Sequence, residues 1–376
     1  MKFTKLIASI CLGASLAMVS SAPANARELK VAIGLAQSSS AYYGLDAFAK
    51  SVKEKTAGEI DLKLFAMSLL NLSQTFAGIR DGVVDGGLLL TPLAPSELPE
   101  TQLPNDLAML GVNSWAMAGA MTEYNFTCQE CLADRLKANQ VYLGSGSSAP
   151  LVIMSTKKIN TVDDIKGKKL RSAGAAWSRW VTSLGGVAVS IPANEVFEAI
   201  NQGTVDGTVI AGTELSALRL IDVVKHITNG VPGGTYHAID TLNINRKTWR
   251  SLTEAQRRAF LDAAAMGSAA MTWKYAADGS ANMKDAQAKG IQFYQPAPDL
   301  VARSKAFVDA DLEVVGQLSE KNYGIKNANQ KIARFRQLVE KWEKLTPANV
   351  NWEPAALAEI YRREIFSKID AKTYGM

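Results

Sequence analysis

Histidine and cysteine are scarce in this 376-residue chain, which has two of the first and three of the second. With only His226 and His237 as imidazoles, a zinc centre or a histidine-based acid–base couple has little to be built from. No Gly-x-Ser-x-Gly elbow occurs, and the carboxylates show no helical pairing that marks out two of them, which weakens the case for an exported α/β hydrolase. The run Gly144-Ser-Gly146 lacks a third glycine at Ala149 and opens no helix, so it does not cradle a nucleotide. Charge is small too: a formal +5, or +3 once Lys2 and Lys5 are set aside, spread evenly and too weak to argue for nucleic acid.

Apolar runs of membrane-spanning length are also missing. Leu6 to Val19, near the N-terminus, is shorter than the ~20 residues of a spanning helix. Preceded by Lys2 and Lys5 and followed by Ala24-Asn25-Ala26, it has the three parts of a secretory signal peptide, residues 1–26, cleaved after Ala26. Cys11 follows Ala8-Ser9-Ile10, without the small neighbour that lipid attachment needs. Residues 27–376 are therefore expected as a free periplasmic protein, long enough for two domains of ~150 residues each. Cys128 and Cys131, in Thr127-Cys-Gln-Glu-Cys131, then read as a local disulfide that pins a loop. A thioredoxin-like redox pair is the alternative, and it lacks the flanking βαβ pattern.

Glu28 to Leu35 reads as a buried first strand, followed by the polar turn Gln37-Ser38-Ser39-Ser40. A helix from Tyr42 to Lys55 carries Leu45, Phe48, Ala49 and Val52 at helical spacing and closes at Gly58. Strand Ile60 to Phe65 completes a β-α-β unit with short connections, which favours a mainly parallel α/β sheet. Two octets then repeat one pattern, Ile79-Arg-Asp-Gly-Val-Val-Asp-Gly86 and Ile200-Asn-Gln-Gly-Thr-Val-Asp-Gly207. Each closes a helix at a glycine suited to the left-handed conformation and opens a strand through Asp-Gly. Two copies, each after a helix, point to two similarly built lobes whose strand ends face a cleft.

Between the octets, Gln140 to Met154 reads as strand, Gly/Ser-rich bend and strand, the pattern of a crossing or hinge. Glu214 to Val224 reads as a helix, and Ala238 to Ile244 as a strand returning to the first lobe. Thr253-Glu-Ala-Gln256 fits a capping box opening a helix to about Lys289, ~50 Å long and enough to run along both lobes. The tail from Lys331 puts Ile332, Phe335, Leu338, Val339 and Trp342 on one face, expected to pack onto the body, with a dimer contact as the alternative.

One ordered set of segments spans residues 28–275. It comprises Phe48-Ala-Lys-Ser-Val-Lys-Glu-Lys-Thr-Ala-Gly58, Ile79 to Asp85, Asp164-Ile-Lys-Gly-Lys-Lys-Leu-Arg171, Leu184-Gly185, Glu195-Val-Phe-Glu-Ala-Ile200, Gly203-x-Val-Asp-Gly207, and His237 with Asn243 and Trp249. In this it resembles the periplasmic solute-binding subunit of tripartite ATP-independent periplasmic (TRAP) transporters, the DctP-like family. The resemblance implies an α/β, two-lobed Venus-flytrap (periplasmic-binding-protein) fold with a long helix spanning both lobes. It implies capture of a small organic acid and delivery to membrane subunits driven by an ion gradient, with no catalysis, cofactor or metal. Lobe I is then expected to take residues 27–149 plus 236–275, and lobe II residues 150–235 plus 276–376 with the C-terminal helices. A monomer is expected.

Arg171 sits where the family places its carboxylate-binding arginine. A planar fork makes two charge-assisted hydrogen bonds to a carboxylate, which a lysine point charge does not. The departures narrow the ligand. Where sialic-acid-type members carry an asparagine this chain has Ile210, a second arginine would fall near Leu151, and a first-strand polar contact would fall at Gly34. The expected ligand is less hydroxylated than a sugar acid and more apolar in its body. Trp177, Tyr42 and Tyr43 are candidate flat walls, with core packing the alternative for each. Gln37, Ser73, Gln74, Thr91 and Glu214 are further lining candidates by position. A binding subunit of an ATP-driven importer would share the fold and is the second reading.

Overall fold

The computed structural model describes residues 26–376, so all of the expected signal peptide but Ala26 lies outside the described residues. In chain order the strands are β1 (Arg27–Ile33), β2 (Ile60–Ala66), β3 (Gly86–Leu90), β4 (Gln140–Tyr142), β5 (Ser145–Gly146), β6 (Pro150–Ser155), β7 (Lys169–Ser172), β8 (Val187–Val189), β9 (Gly207–Ala211), β10 (His226–Thr235), β11 (Ile239–Asn245) and β12 (Gln292–Tyr294). They form two six-stranded sheets. The first has the order β2-β1-β3-β11-β4 with β5 alongside β11, and the second has the order β12-β10-β6-β9-β7-β8.

The two octets build the same local structure in each sheet. Gly82 and Gly203 end their helices at φ 76° and 70°, a conformation a side chain would strain. The Asp85 carboxylate then accepts the Lys30 backbone N–H at 2.8 Å, and the Asp206 carboxylate accepts that of Lys169 at 2.8 Å. Each aspartate thus fixes the register of a parallel pair, β1 with β3 and β7 with β9. Each sheet also contains a strand antiparallel to both of its neighbours. β11 runs antiparallel between β3 and β4, and β6 runs antiparallel between β9 and β10.

β6 is apolar almost throughout because both of its faces are covered. Leu151 and Ile153 join one core layer with Leu170, Trp180 and Val209. Val152 and Met154 join the other, with Ile200, Ile210 and Leu215. The first sheet shares a single large core with the C-terminal helices: Leu29, Phe48, Tyr142 and Phe260 sit in it beside Phe335, Trp342, Tyr361 and Phe366. The C-terminal helices, assigned to lobe II on sequence order, therefore belong with the first sheet. Their apolar face, predicted from Lys331 onward, is buried within the chain, on the helix Ala328–Leu345.

Two short irregular segments and two helices cross between the sheets. Residues 147–149 lead from β5 to β6 and residues 236–238 lead back from β10 to β11. They are hydrogen-bonded to each other, Ser148 N to Tyr236 O and Tyr236 N to Ser148 Oγ, both 2.9 Å. The predicted long helix is Glu254–Ala288, 35 residues, opened by the Thr253–Gln256 capping box. It carries Phe260, Leu261 and Met271 into the first core and Ala286 into the second sheet's. A second crossing helix, Pro298–Tyr323, starts on Leu300 in the second lobe and reaches Val315 in the first. The predicted helix Glu214–Val224 is interrupted. It stops after Ala217, and Arg219 turns the chain at φ 55° before a single 3-10 turn at Leu220–Asp222.

Trp342 lies so close over the Ser114–Thr127 helix that a Cβ on Gly119 would sit 2.3 Å from its indole ring. Gly119→Ala is expected to destabilise the chain by about 1–3 kcal/mol through overpacking, read as a lower urea midpoint at unchanged slope.

Candidate functional site

β7 carries Arg171 near its carboxyl end, in register with Thr208 of β9 and Val189 of β8. The residue is 8% exposed. Its Nε donates to the Ile191 carbonyl at 3.1 Å, and among the described residues no other protein acceptor meets the guanidinium. Burial pulls its pKa below the ordinary value, while Glu214 and Tyr236 act against that shift. The group stays cationic at neutral pH, because an arginine does not lose its proton in proteins.

Glu214 and Tyr236, from two other elements, lie close enough to act on this cation, and both of them act on Tyr275. Glu214 begins the short helix after β9. Burial holds its carboxyl above the usual range, opposed by the Thr213 hydroxyl, which donates to it at 3.2 Å, and by Arg171. Tyr236 lies on the returning crossing, its phenol pushed up to about 12 by burial against the pull of Arg171. Tyr275 comes from the middle of the long helix and is raised further by burial, with Glu214, Tyr236 and Asp278 adding to the shift. Both phenols are neutral hydroxyls at pH 7, able to donate or accept.

A cavity of about 210 Å³ opens beside this cluster, between the lobes. Pro92, Pro95, Gln102, Asn105 and Asp106 wall it on one side, Ala173 to Trp177 on the other, with Tyr236 and His237 between. Arg171 is not in that wall. Tyr236 joins the two regions, its ring stacked on Trp177 with centroids 6.4 Å apart. The cation-bearing end of the cleft is at Arg171, since the charge in the cavity wall is a carboxyl, Asp106. Burial pushes that carboxyl up to about 6, with Arg179 lowering and Asp311 raising it. Arg179 bridges the lobes here: it pairs with Asp311 at 2.7 and 2.8 Å and donates to the Asp106 backbone carbonyl at 2.9 Å.

The predicted site residues divide between this cleft and other places. Arg171 and Glu214 are brought together, and Trp177 lines the cavity, buried, with its indole N–H on the Gly233 carbonyl at 3.0 Å. Thr91 is one layer behind the wall, its hydroxyl accepting from Asn105 at 2.8 Å. Ile210 is in the core on the Val152 face of β6, and Leu151 is in the core on the opposite face. Gly34 has no room for a side chain, since a Cβ there would stand 2.3 Å from the Leu72 backbone nitrogen.

The remaining candidates make contacts elsewhere. Gln37 is exposed and donates to the Tyr42 hydroxyl at 3.3 Å. Tyr43 is 41% exposed and sets its ring against Trp273. Gln74 closes the capping box of its own helix with Asn71, and Ser73 beside it is exposed. Sequence reasoning missed Tyr236, Tyr275, Asn105 and Asp106. Tyr236 had a signal, its place just before the strand read as returning to the first lobe. Among the described residues no group of three histidine, cysteine, aspartate or glutamate side chains is placed to hold a metal ion.

The sequence profile described as bacterial extracellular solute-binding protein, family 7 (DctP), matches residues 31–317. The chain belongs to this family of bacterial extracellular solute-binding proteins. A solute-binding protein of Albidiferax ferrireducens is 23% identical over 215 residues, which is 56% of this chain and 62% of that relative's length. The outer membrane transporter protein TsaT of Comamonas testosteroni is 24% identical over 255 residues, 66% of this chain and 72% of its own. Among solved structures, a TRAP solute-binding protein from Rhodoferax ferrireducens in complex with copurified benzoate matches with a TM-score of 0.74 at 19% identity, covering 85% of this chain and 99% of that one. One from Bordetella bronchiseptica with bound mandelate matches with a TM-score of 0.71 at 19% identity, covering 84% and 99%. These likenesses establish the two-lobed fold.

Asp106 makes a pH-dependent contribution whose sign follows from its raised pKa. The folded chain holds this proton more tightly than the unfolded one, so between 3.8 and about 6 the group's contribution to stability falls as pH rises. Asp106→Asn is expected to gain on the natural protein by on the order of 1–2 kcal/mol between pH 4 and pH 7, in paired thermal unfolding scans.

Proposed function

We propose that this chain is an exported, periplasmic binding protein that grips a small organic acid by its carboxylate through Arg171 and delivers it to the membrane subunits of a TRAP transporter. The observation that carries this reading is the uncommitted edge of the Arg171 guanidinium. Nε is anchored on Ile191 O, which fixes the plane of the fork and leaves the two Nη groups for an incoming acceptor. Two parallel charge-assisted hydrogen bonds at a site largely shielded from water are stronger than the same contact in bulk solvent.

The stacked Trp177 and Tyr236 beside the cation suit an acid with an apolar body. The benzoate and mandelate carried by the two solved relatives are acids of that kind. Binding and release suffice for this work, and the chain acts as a carrier rather than an enzyme. The lobes move about the crossings at residues 147–149 and 236–238, with 27–149, 236–275 and the C-terminal helices on one side of the hinge and 150–235 on the other. Export agrees with oxidation of Cys128 and Cys131, whose sulfurs stand at bonding distance.

A thermal-shift screen of residues 27–376 against aromatic and aliphatic monocarboxylates tests the reading. A ligand present at about 100 times its dissociation constant adds about 2.7 kcal/mol to the stability of the folded state. Arg171→Gln is expected to remove that response for every acid that gives one. An unchanged response in Arg171→Gln to a confirmed acid ligand contradicts the proposal.

A further inference from the structure

Glu214 is held where it is by more than its own short helix. The Gly212-Thr213 turn before it is pinned to the long helix, with Asn282 Nδ2 donating to Gly212 O at 3.3 Å and to Thr213 O at 3.0 Å. β9 and β7 are parallel and in register, so both chains emerge at the same edge of the sheet, one bearing Arg171 and the other leading to Glu214. The two side chains nevertheless do not close on each other. Arg171 uses its Nε on Ile191 and Glu214 takes a hydrogen bond from Thr213, with no ion pair between them. A cation and a carboxyl are thus carried at the same end of one sheet without pairing, each with unused hydrogen-bonding capacity.

We propose that Glu214 is the second contact point for the ligand, selecting monocarboxylates that carry a hydrogen-bond donor, a hydroxyl or an ammonium, and rejecting dicarboxylates. The inference rests on the Arg171 reading above and adds to it. Once a ligand's carboxylate occupies the guanidinium, Arg171 no longer offers its full charge to Glu214. A half-buried carboxyl in that position needs a donor from the ligand, and a second ligand carboxylate would face it as an unsolvated like charge. The same group therefore favours one class of acid and disfavours the other. The burial that already holds Glu214 above the usual carboxylate range makes its need for a donor greater.

Calorimetric titration with two matched sets separates the possibilities: benzoate, 3-hydroxybenzoate and isophthalate, and butyrate, 3-hydroxybutyrate and succinate. The natural protein is expected to bind the hydroxy acid about tenfold or more tighter than its parent, the size of one hydrogen bond to a charged group, and to bind the diacid more weakly than the parent. Glu214→Gln keeps the side chain's shape and removes its charge, and is expected to bring the diacid to within about twofold of the parent. A natural protein that prefers the diacids overturns the inference without any variant. Ratios unchanged in Glu214→Gln, with all binding lost in Arg171→Gln, overturn it while leaving the arginine contact standing. Binding that survives in Arg171→Gln shows instead that the reading underneath has failed.

Discussion

A guanidinium held almost out of water with one of its N–H groups matched is the constraint on which the second lobe depends. Burying a charge without partners is costly, and such a group stays in place only where the surrounding backbone leaves it no better position. Here that backbone is set by the second octet. The Asp206 carboxylate takes the Lys169 N–H two residues before Arg171, and Gly207 lets β9 lie so close to β6 that a Cβ would stand 2.4 Å from the Met154 carbonyl oxygen. β7 is thereby fixed against β9, and Arg171 is carried to the sheet edge. Ile191 then sets the plane of the fork.

The first lobe supplies a different kind of rigidity. Arg135 and Asp240, both essentially without exposure, pair at 2.7 Å, and Asn243 bonds to each of them at 2.7 Å. Ser145 reaches the same carboxylate, so this network ties β11, β5 and the Gln129–Lys137 helix at the point where both crossing segments leave the first sheet. A buried pair of this kind is weak support for stability but specifies one arrangement of its neighbours. Between that anchor and the Arg171 strand lie only the short crossings and two helices, with Arg179 spanning the gap on the cavity side. The cleft is thus framed by two stiff bodies, and a ligand can be gripped from both.

What the sequence revealed and what it did not divides along the range of the interactions involved. The octets, the strand-bend-strand crossing between Gln140 and Met154 and the Thr253 capping box are local patterns, and each is found in the structure where it was read. Arg171 was singled out because, in the resemblance to the DctP-like family, it falls where that family places its carboxylate-binding arginine. The break at Arg219 was not, because the turn there serves the approach to β10 rather than any helical pattern within Glu214–Val224. Tyr42 and Tyr43 were offered as flat walls at the first cleft loop, and Gln74 by its expected position at a strand end. Their side chains meet Gln37, Trp273 and a helix cap, contacts that position along the chain does not contain. Tyr236, Tyr275 and Asp106 come from a crossing segment, a helix middle and a helix end, and only the tertiary packing of all three brings them to one cleft.

The most direct test of the account is a crystal structure of the protein purified from cells with a confirmed acid ligand retained. The account predicts a carboxylate whose two oxygens lie at hydrogen-bond distance from the Arg171 Nη atoms, with Nε still on Ile191 O. An acid seated in the cavity beside Asp106, with the Arg171 fork left untouched, would contradict it.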